Sequence, residues 1–145
     1  MENTAMMNKL FLDTNVVMDT MEYGREHSTY SSLILGFCNV FNLCISVQTF
    51  PDIAYIVRKE YSGERVKHKF EILMNHCTVL TMLATDFARA LQSKCPDMED
   101  AMQISCAETT NCDAIITANK KHFSAYTDIP VYTPKEFIEA LQAAQ

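Results

Sequence analysis

The chain has 145 residues, of which 48% are hydrophobic and 21% are charged, and its formal net charge is −6. This length and composition predict a single soluble domain over residues 1–145 and exclude an intrinsically disordered chain. No apolar run approaches the ~20 residues of a membrane span. Residues 1–8 lack the apolar stretch of a signal peptide, so we expect a cytoplasmic protein whose residues 1–8 are flexible.

In chain order, apolar periodicity predicts a strand over 9–13, a helix over 29–41, a strand over 43–46, a helix with Pro51 in its first turn that ends near residue 60, a helix over 64–77 and a strand over 78–82. It continues with a helix from an N-cap at Thr85 to residue 91, a helix over 97–109, strands over 113–117 and 129–132, and a last helix with Thr133 as N-cap and Pro134 as first residue. This alternation predicts an α/β fold with a mostly parallel sheet of four to five strands and helices on both faces.

Acidic residues follow three of the predicted strands, at the edge of a parallel sheet where ligands bind. Asp13 closes the first strand, Asp52 lies about a turn into the helix after the second, and Asp97 and Asp100 share one face of a helix start. Each has a structural explanation as a helix cap or as a charge that favours the helix dipole. Together they form a set of hard oxygen ligands that suits Mg²⁺ or Mn²⁺.

Other polar residues near these junctions have simpler explanations. Thr117 and Asn119 follow the fourth predicted strand and have side chains that orient water or a ligand, although Asn119 is also a good helix N-cap. Glu99 is expected to be a surface acid, and Asp19 a structural or surface acid. The six cysteines contain no C-x-x-C pair, so we expect buried, reduced thiols rather than a zinc site.

Four segments carry a resemblance to the PIN-domain family, which includes the ribonuclease toxins of toxin–antitoxin pairs. They are residues 11–19, 45–52, 97–103 and 113–123. The resemblance implies a three-layer sandwich and places metal-binding acids at Asp13 and Asp100, with Asp97 in support. Asp52 stands where the family usually has Glu, and Asn119 and His122 stand at the two positions where relatives carry a fourth acid.

The resemblance further implies metal-dependent hydrolysis of phosphodiester bonds in single-stranded RNA, with Mg²⁺ or Mn²⁺ as cofactor. The catalytic acids are then Asp13, Asp52, Asp97 and Asp100, of which Asp13 and Asp100 hold the metal. The side chains implied to orient ligands and water are those of Thr14, Asn15, Ser46, Thr117 and Asn119. Lys120 and Lys121 are candidates for RNA phosphate contacts, as is the basic segment 58–69. The implied partners are a small antitoxin and a second copy of the chain in a homodimer.

Two other functions remain open at this point. A PIN-like module with a depleted acid set would bind RNA or protein without cleavage, and both Asn119 and the net negative charge favour it. A phosphoacceptor receiver domain also has acids at the strand ends of a parallel sheet. It requires an adjacent acid pair after the first strand, which this chain lacks.

Overall fold

Five strands form one parallel sheet in the computed structural model, which describes residues 7–21 and 28–144. The strands are β1 (Lys9–Leu12), β2 (Asn42–Ser46), β3 (Thr78–Leu80), β4 (Ala114–Ile116) and β5 (Val131–Tyr132). Their order across the sheet is β3-β2-β1-β4-β5, and every neighbouring pair is parallel. The predicted α/β fold class is therefore confirmed, and β1 occupies the centre of the sheet.

Helices connect the strands, as parallel pairing requires. In the described residues they are α1 (Thr14–Met21), α2 (Ser28–Leu35), α3 (Thr49–Ile56), α4 (Gly63–His76), α5 (Ala84–Gln92), α6 (Met98–Thr109), α7 (Lys120–Ser124) and α8 (Pro134–Ala143). Not one of these helices combines the length and the apolar character that a membrane crossing requires. Pro51 lies in the first turn of α3, and the Thr133 hydroxyl caps α8 by accepting from the Glu136 N–H, as predicted.

The core lies on both faces of the sheet because successive side chains of a strand point to opposite sides. Leu10 and Leu12 of β1 pack against α1, α2, α3, α4 and α8 on one face. Phe11 points to the other face and packs among residues of α6 and α7. Burying a side chain such as Phe11 in full stabilises the fold by ~1.5–3 kcal/mol, so the central strand is fixed from both sides.

The helix predicted over residues 29–41 ends early, at Leu35. The apolar residues that suggested a longer helix lie in and after a turn, from which they pack into the core. Phe37 and Phe41 contact each other edge to face at 6.3 Å between ring centroids, and Phe41 contacts Phe137 of α8 at 5.5 Å. Gly36, a poor helix former, begins this turn. The aromatic residues therefore have the spacing of a helix, but they are apolar because they pack against each other and against α8.

The predicted N-cap at Thr85 is wrong, because α5 begins at Ala84 and its N-cap is Leu83, two residues earlier than predicted. The Asp86 carboxylate accepts a hydrogen bond from the Leu83 N–H at 2.9 Å and so satisfies this end of the helix. Asp86 is buried and also accepts from the Ser105 hydroxyl of α6 at 2.9 Å. One acid thus caps α5 and joins it to α6.

The segment before β1 is described only in part. Residues 1–6, on which most of the predicted flexible stretch falls, lie outside the described residues. Met7 is buried, and the Asn8 N–H donates to the Asp113 carboxylate at 3.0 Å. The Asn8 carbonyl accepts from the Asn42 N–H at 2.7 Å. These contacts extend the pairing of β1 towards its two neighbours.

Candidate active site

The carboxyl ends of β1, β2 and β4 meet at one edge of the sheet, where Asp13, Ser46 and Thr117 lie. The Asp13 N–H donates to the Ile116 carbonyl at 3.0 Å, which continues the β1–β4 pairing one residue past β1. The Thr117 hydroxyl then donates to Asp13 Oδ2 at 2.8 Å. The sheet itself therefore fixes the position of the Asp13 carboxylate.

Asp13 is only 2% exposed and forms no ion pair with any residue that the structure describes, and such burial is rare for an unpaired carboxylate. Burial raises its pKa from 3.8 to about 6, against the lowering effect of the Thr117 hydroxyl and the Gln103 amide beside it. The negative charge of Glu99 raises the pKa further. The groups that lower it are neutral, so the carboxylate is held in a place that a cation would stabilise.

The start of α6 brings two more acids to this edge. Asp97 is the N-cap of α6, and its carboxylate accepts from the Asp100 N–H at 2.9 Å. Burial, Asp97 and Asp13 all raise the pKa of Asp100, to about 6, while nearby His122 lowers it. Asp100 and Asp13 are thus close enough for their charges to repel each other. The Asp97 side chain caps the helix and adds charge to the site at the same time.

Asp52 lies on α3 and lines a cleft of about 350 Å³ on the β2 side of the edge. Gln48 Nε2 donates to Asp52 Oδ1 at 3.3 Å and orients that carboxylate. The other residues that line this Asp52 cleft are Thr14, Ser46, Thr49, Met82, Phe87, Glu99, Met102 and Gln103.

Glu99 lines the Asp52 cleft, although the sequence suggested a surface acid with no part in the site. Desolvation raises its pKa, and the charges of Asp52, Asp97 and Asp100 raise it further. Glu99 is exposed, so that part of the expectation holds, but its carboxylate belongs to the acidic group. The resembled family usually has Glu at the position of Asp52, whose side chain is shorter. Glu99 provides a side chain of the longer kind in the same cleft.

Asp97 and Asp100 line a second cleft of about 390 Å³, on the β4 side. Lys121 and His122 of α7 lie in its wall, so this Asp100 cleft contains basic as well as acidic groups. Its remaining lining residues are Cys95, Pro96 and Tyr126. The buried Asp13 carboxylate is electrostatically coupled to acids of both clefts.

Hydroxyl groups tie the loops of the site together. The Thr14 and Thr49 hydroxyls hydrogen-bond each other at 3.0 Å, which joins the starts of α1 and α3. Ser46 Oγ accepts from the Gln48 N–H at 3.1 Å and shapes the turn after β2. Asn15 lies half-buried in α1, next to these groups in the chain. The predicted orienting residues Thr14 and Ser46 both line the Asp52 cleft.

The predicted residues after β4 have different surroundings. The Asn119 N–H donates to the Thr117 hydroxyl at 3.1 Å, while its side chain is exposed and makes no cap hydrogen bond to α7. Lys120 forms an ion pair with Glu136 of α8 at 2.7 Å. Lys121 is exposed and faces the Asp100 cleft. Of the two lysines, Lys121 is therefore the one directed at the site.

Gln103 is a site residue that the sequence reasoning missed. Its Oε1 accepts from the Thr14 N–H at 3.3 Å, and its buried Nε2 has no hydrogen-bond partner among residues 7–21 and 28–144. The signal available in the sequence was its spacing, since residue 103 lies three positions after Asp100 and shares its helix face.

The donor set fits a hard divalent cation in its chemistry. Asp13 and Asp100 supply carboxylate oxygens whose raised pKa values reflect burial and like charges, which a cation would relieve. Within residues 7–21 and 28–144, no three His, Cys, Asp or Glu side chains lie close enough to enclose an ion. The carboxylates thus form an open acidic group and not a closed ligand cage.

Comparison with known proteins identifies the family. The family model described as "PIN domain" matches residues 9–121. Ribonuclease VapC1 of Aquifex aeolicus is 24% identical over 138 residues, a match that covers 90% of this chain and 94% of that protein.

Solved structures share the fold. DNA-bound VapBC from Salmonella typhimurium matches with a TM-score of 0.68 and 20% identity, covering 88% of this chain and 99% of the matched chain. A toxin–antitoxin complex from Klebsiella pneumoniae matches with a TM-score of 0.62 and 20% identity, covering 86% and 97%. The family match runs from the start of β1 to the second residue of α7 and therefore includes all four predicted acids, and the chain belongs to the PIN domain family.

Proposed function

We propose that this protein is a metal-dependent endoribonuclease that hydrolyses phosphodiester bonds of single-stranded RNA in the cytoplasm. The observation that carries the proposal is the buried Asp13, which Thr117 fixes and whose carboxylate interacts electrostatically with Glu99 and Asp100 of α6. Such an arrangement costs folding stability, which suggests that it is retained for binding a cation. The similarity to Ribonuclease VapC1 supports RNA as the substrate.

Each side chain has a role in this proposal. Asp13 and Asp100 would hold Mg²⁺ or Mn²⁺, which supplies charge neutralisation at the phosphate and a more acidic water. Asp52 and Glu99 line the cleft beside them, and one of these two carboxylates would accept the single proton that the attacking water loses and return it to the leaving oxygen. Hydrolysis breaks one P–O bond, and the water's elements divide between a phosphate end and a hydroxyl end.

The groups around the acids position them. Thr117 fixes Asp13 by its hydrogen bond, and Gln103 lies beside the same carboxylate. The Thr14–Thr49 hydrogen bond holds α1 and α3 at the mouth of the Asp52 cleft. Loss of such supporting contacts typically lowers metal affinity or activity by ~10–100-fold.

A nuclease assay tests the proposal. A fluorescent single-stranded RNA is incubated with the purified protein and Mn²⁺ or Mg²⁺, and then with excess EDTA. Asp100→Asn removes one of the proposed metal-binding carboxylates, so we expect cleavage to fall by at least ~100-fold, in the range of losing a principal catalytic group. EDTA should abolish cleavage.

Asp128→Asn is the matched control, because Asp128 is exposed in the loop before β5, near the amino end of that strand. It should cleave at the wild-type rate. Cleavage that survives both EDTA and Asp100→Asn would identify a contaminating nuclease. A protein that neither cleaves RNA nor binds Mn²⁺ in calorimetry would instead be the non-catalytic RNA- or protein-binding module that Asn119 favours.

We also propose a small antitoxin protein and a second copy of this chain as partners. The Klebsiella pneumoniae structure of the same fold is a toxin–antitoxin complex, which supports the first of these. Size-exclusion chromatography with light scattering tests the homodimer directly. A monomer at micromolar concentration would contradict it.

A further inference from the structure

The face of α3 that enters the Asp52 cleft continues past it to an exposed tyrosine. Tyr55 follows Asp52 by three residues, so the two side chains lie on one face with Cβ atoms ~5–6 Å apart. Gln48, four residues before Asp52, belongs to the same face. Tyr55 is 66% exposed. A chain that leaves the cleft along α3 therefore meets Tyr55 first.

Arg58 forms a fixed stack with Tyr55. Its guanidinium carbon lies 3.8 Å from the Tyr55 ring centroid, and its Nη1 donates to the Tyr55 carbonyl at 2.7 Å. The hydrogen bond holds the planar guanidinium over the ring, so less entropy is lost when a ligand binds. The result is an exposed planar surface with a positive charge next to the acidic site.

The same pairing occurs again a few residues further on. The Arg65 guanidinium carbon lies 4.2 Å from the Tyr61 ring centroid, and the Lys69 ammonium lies 5.7 Å from it. Tyr61 follows α3, and Arg65 lies in the first turn of α4. Two tyrosine–cation pairs therefore follow each other along the chain from the cleft.

The local charge of this segment is opposite to that of the whole chain. Residues 58–69 contain five of the chain's twelve Lys and Arg residues and two acids, Glu60 and Glu64, while the chain as a whole carries −6. A polyanion would be repelled by most of the molecule but attracted here. Charge complementarity therefore directs a phosphate backbone to this segment.

We propose that Tyr55, Arg58, Tyr61 and Arg65 form a binding surface for single-stranded RNA, here called the Tyr–Arg surface. A base stacks on the Tyr55–Arg58 pair, and the second pair receives the chain further from the site. This inference rests on the proposed function, since it extends the same substrate beyond the acids. Flat cationic stacks suit bases that are free to leave their own stack, which favours single strands over duplexes.

The chain contains no tryptophan, so one introduced tryptophan reports on its own site without background. Tyr55→Trp keeps a stacking ring, and its fluorescence should be quenched as a single-stranded oligoribonucleotide is titrated in EDTA. Val40→Trp is the matched control, because Val40 is 64% exposed and lies two residues before β2, at the opposite end of the sheet. Its fluorescence should not change. The RNA duplex of the same sequence should quench the Tyr55→Trp variant much less.

Affinities measured by fluorescence anisotropy in EDTA supply a second readout. We expect Tyr55→Ala to weaken binding of a labelled single strand by about 5- to 100-fold, the loss of one stacked base, and Tyr55→Phe to bind like the wild type. Arg58→Ala should also weaken binding. Arg89 lies on α5 and forms a surface ion pair with Glu108 of α6, so Arg89→Ala removes the same charge elsewhere and should not weaken binding.

Three outcomes would overturn the proposal. They are wild-type affinity in Tyr55→Ala, an unquenched Tyr55→Trp variant, and quenching by polyglutamate equal to that by RNA, which would indicate a docking surface for an acidic protein. Because these assays contain no metal, they are independent of cleavage. An Asp100→Asn variant that still cleaves would contradict the proposed site and leave the Tyr–Arg surface standing. Wild-type RNA affinity in Tyr55→Ala would contradict the Tyr–Arg surface and leave the proposed site standing.

Discussion

Asp13 combines a structural cost with a proposed function in a single residue. In the folded protein its pKa is about 6, compared with an ordinary value of 3.8. The unfolded chain therefore releases this proton first as the pH rises from about 4 to about 6. Through that window the folded state becomes progressively less stable, because it must bury the ionised form.

We predict that Asp13→Asn stabilises the fold at pH 7.5 and does not stabilise it at pH 4. A pKa difference of roughly two units corresponds to at most about 3 kcal/mol in the free energy of unfolding. Urea denaturation in EDTA at both pH values measures it. An equal effect at the two pH values would show that the change acts through packing rather than through the charge.

At the scale of the helix, Asp97 has two separable roles in α6. Its carboxylate caps the helix through the Asp100 N–H, and its charge raises the pKa of Asp100. Serine is also a good N-cap but carries no charge. Two substitutions at this one position therefore distinguish the helix cap from the carboxylate.

We predict that Asp97→Ala lowers the free energy of unfolding by about 1 kcal/mol and that Asp97→Ser leaves it near the wild-type value. Both variants lose the carboxylate, so RNA cleavage should fall by ~10–100-fold in each. Urea denaturation and single-turnover cleavage measure the two effects. Full activity in Asp97→Ser would restrict Asp97 to its capping role.

The strands and the acids at their ends were predictable because both follow from local sequence. β1, β2 and β4 are continuous apolar runs, as sheets buried on two faces require. Asp13 and the Asp97–Asp100 pair follow from where these runs end and where α6 begins. The sheet then brings together residues that are far apart in the chain.

The features that could not be predicted from the sequence depend on tertiary contacts. The end of α2 depends on Phe41 packing against Phe137 of α8, which helical spacing cannot reveal. Glu99 reaches the Asp52 cleft because α6 and α3 meet there, and a residue one position before Asp100 gives no local sign of it. Thr85 is not the N-cap of α5 because the helix begins at Ala84, where the Asp86 carboxylate accepts from the Leu83 N–H and also from the Ser105 hydroxyl of α6.

In the whole molecule, the two clefts contain more acids than bases. They hold Asp52, Asp97, Glu99 and Asp100 beside Lys121 and His122, while the segment 58–69 holds five of the chain's twelve Lys and Arg residues. A cation bound between the clefts would relieve the repulsion among these acids. It should therefore stabilise the entire fold, because it binds the native state alone.

We predict that Mn²⁺ raises the melting temperature of the wild-type protein. At a concentration about 100 times the dissociation constant, the gain is about 2.7 kcal/mol, or several degrees for a domain of this size. Asp13→Asn and Asp100→Asn should lose most of the shift, and the exposed control Asp128→Asn should keep it. Differential scanning fluorimetry measures this, and an equal shift in all four proteins would indicate non-specific binding.

The position of β1 has a consequence for synthesis on the ribosome. β1 is made before the other four strands of the sheet, yet it pairs on one side with β4, and the Thr117 hydroxyl that binds Asp13 is 104 residues away. A nascent chain that has not yet reached β4 and Thr117 exposes an unpaired edge of β1 and lacks part of the site. If the protein cleaves RNA, a nascent chain that has not yet emerged as far as Thr117 would be harmless to the messenger from which it is being translated, because its site is still incomplete.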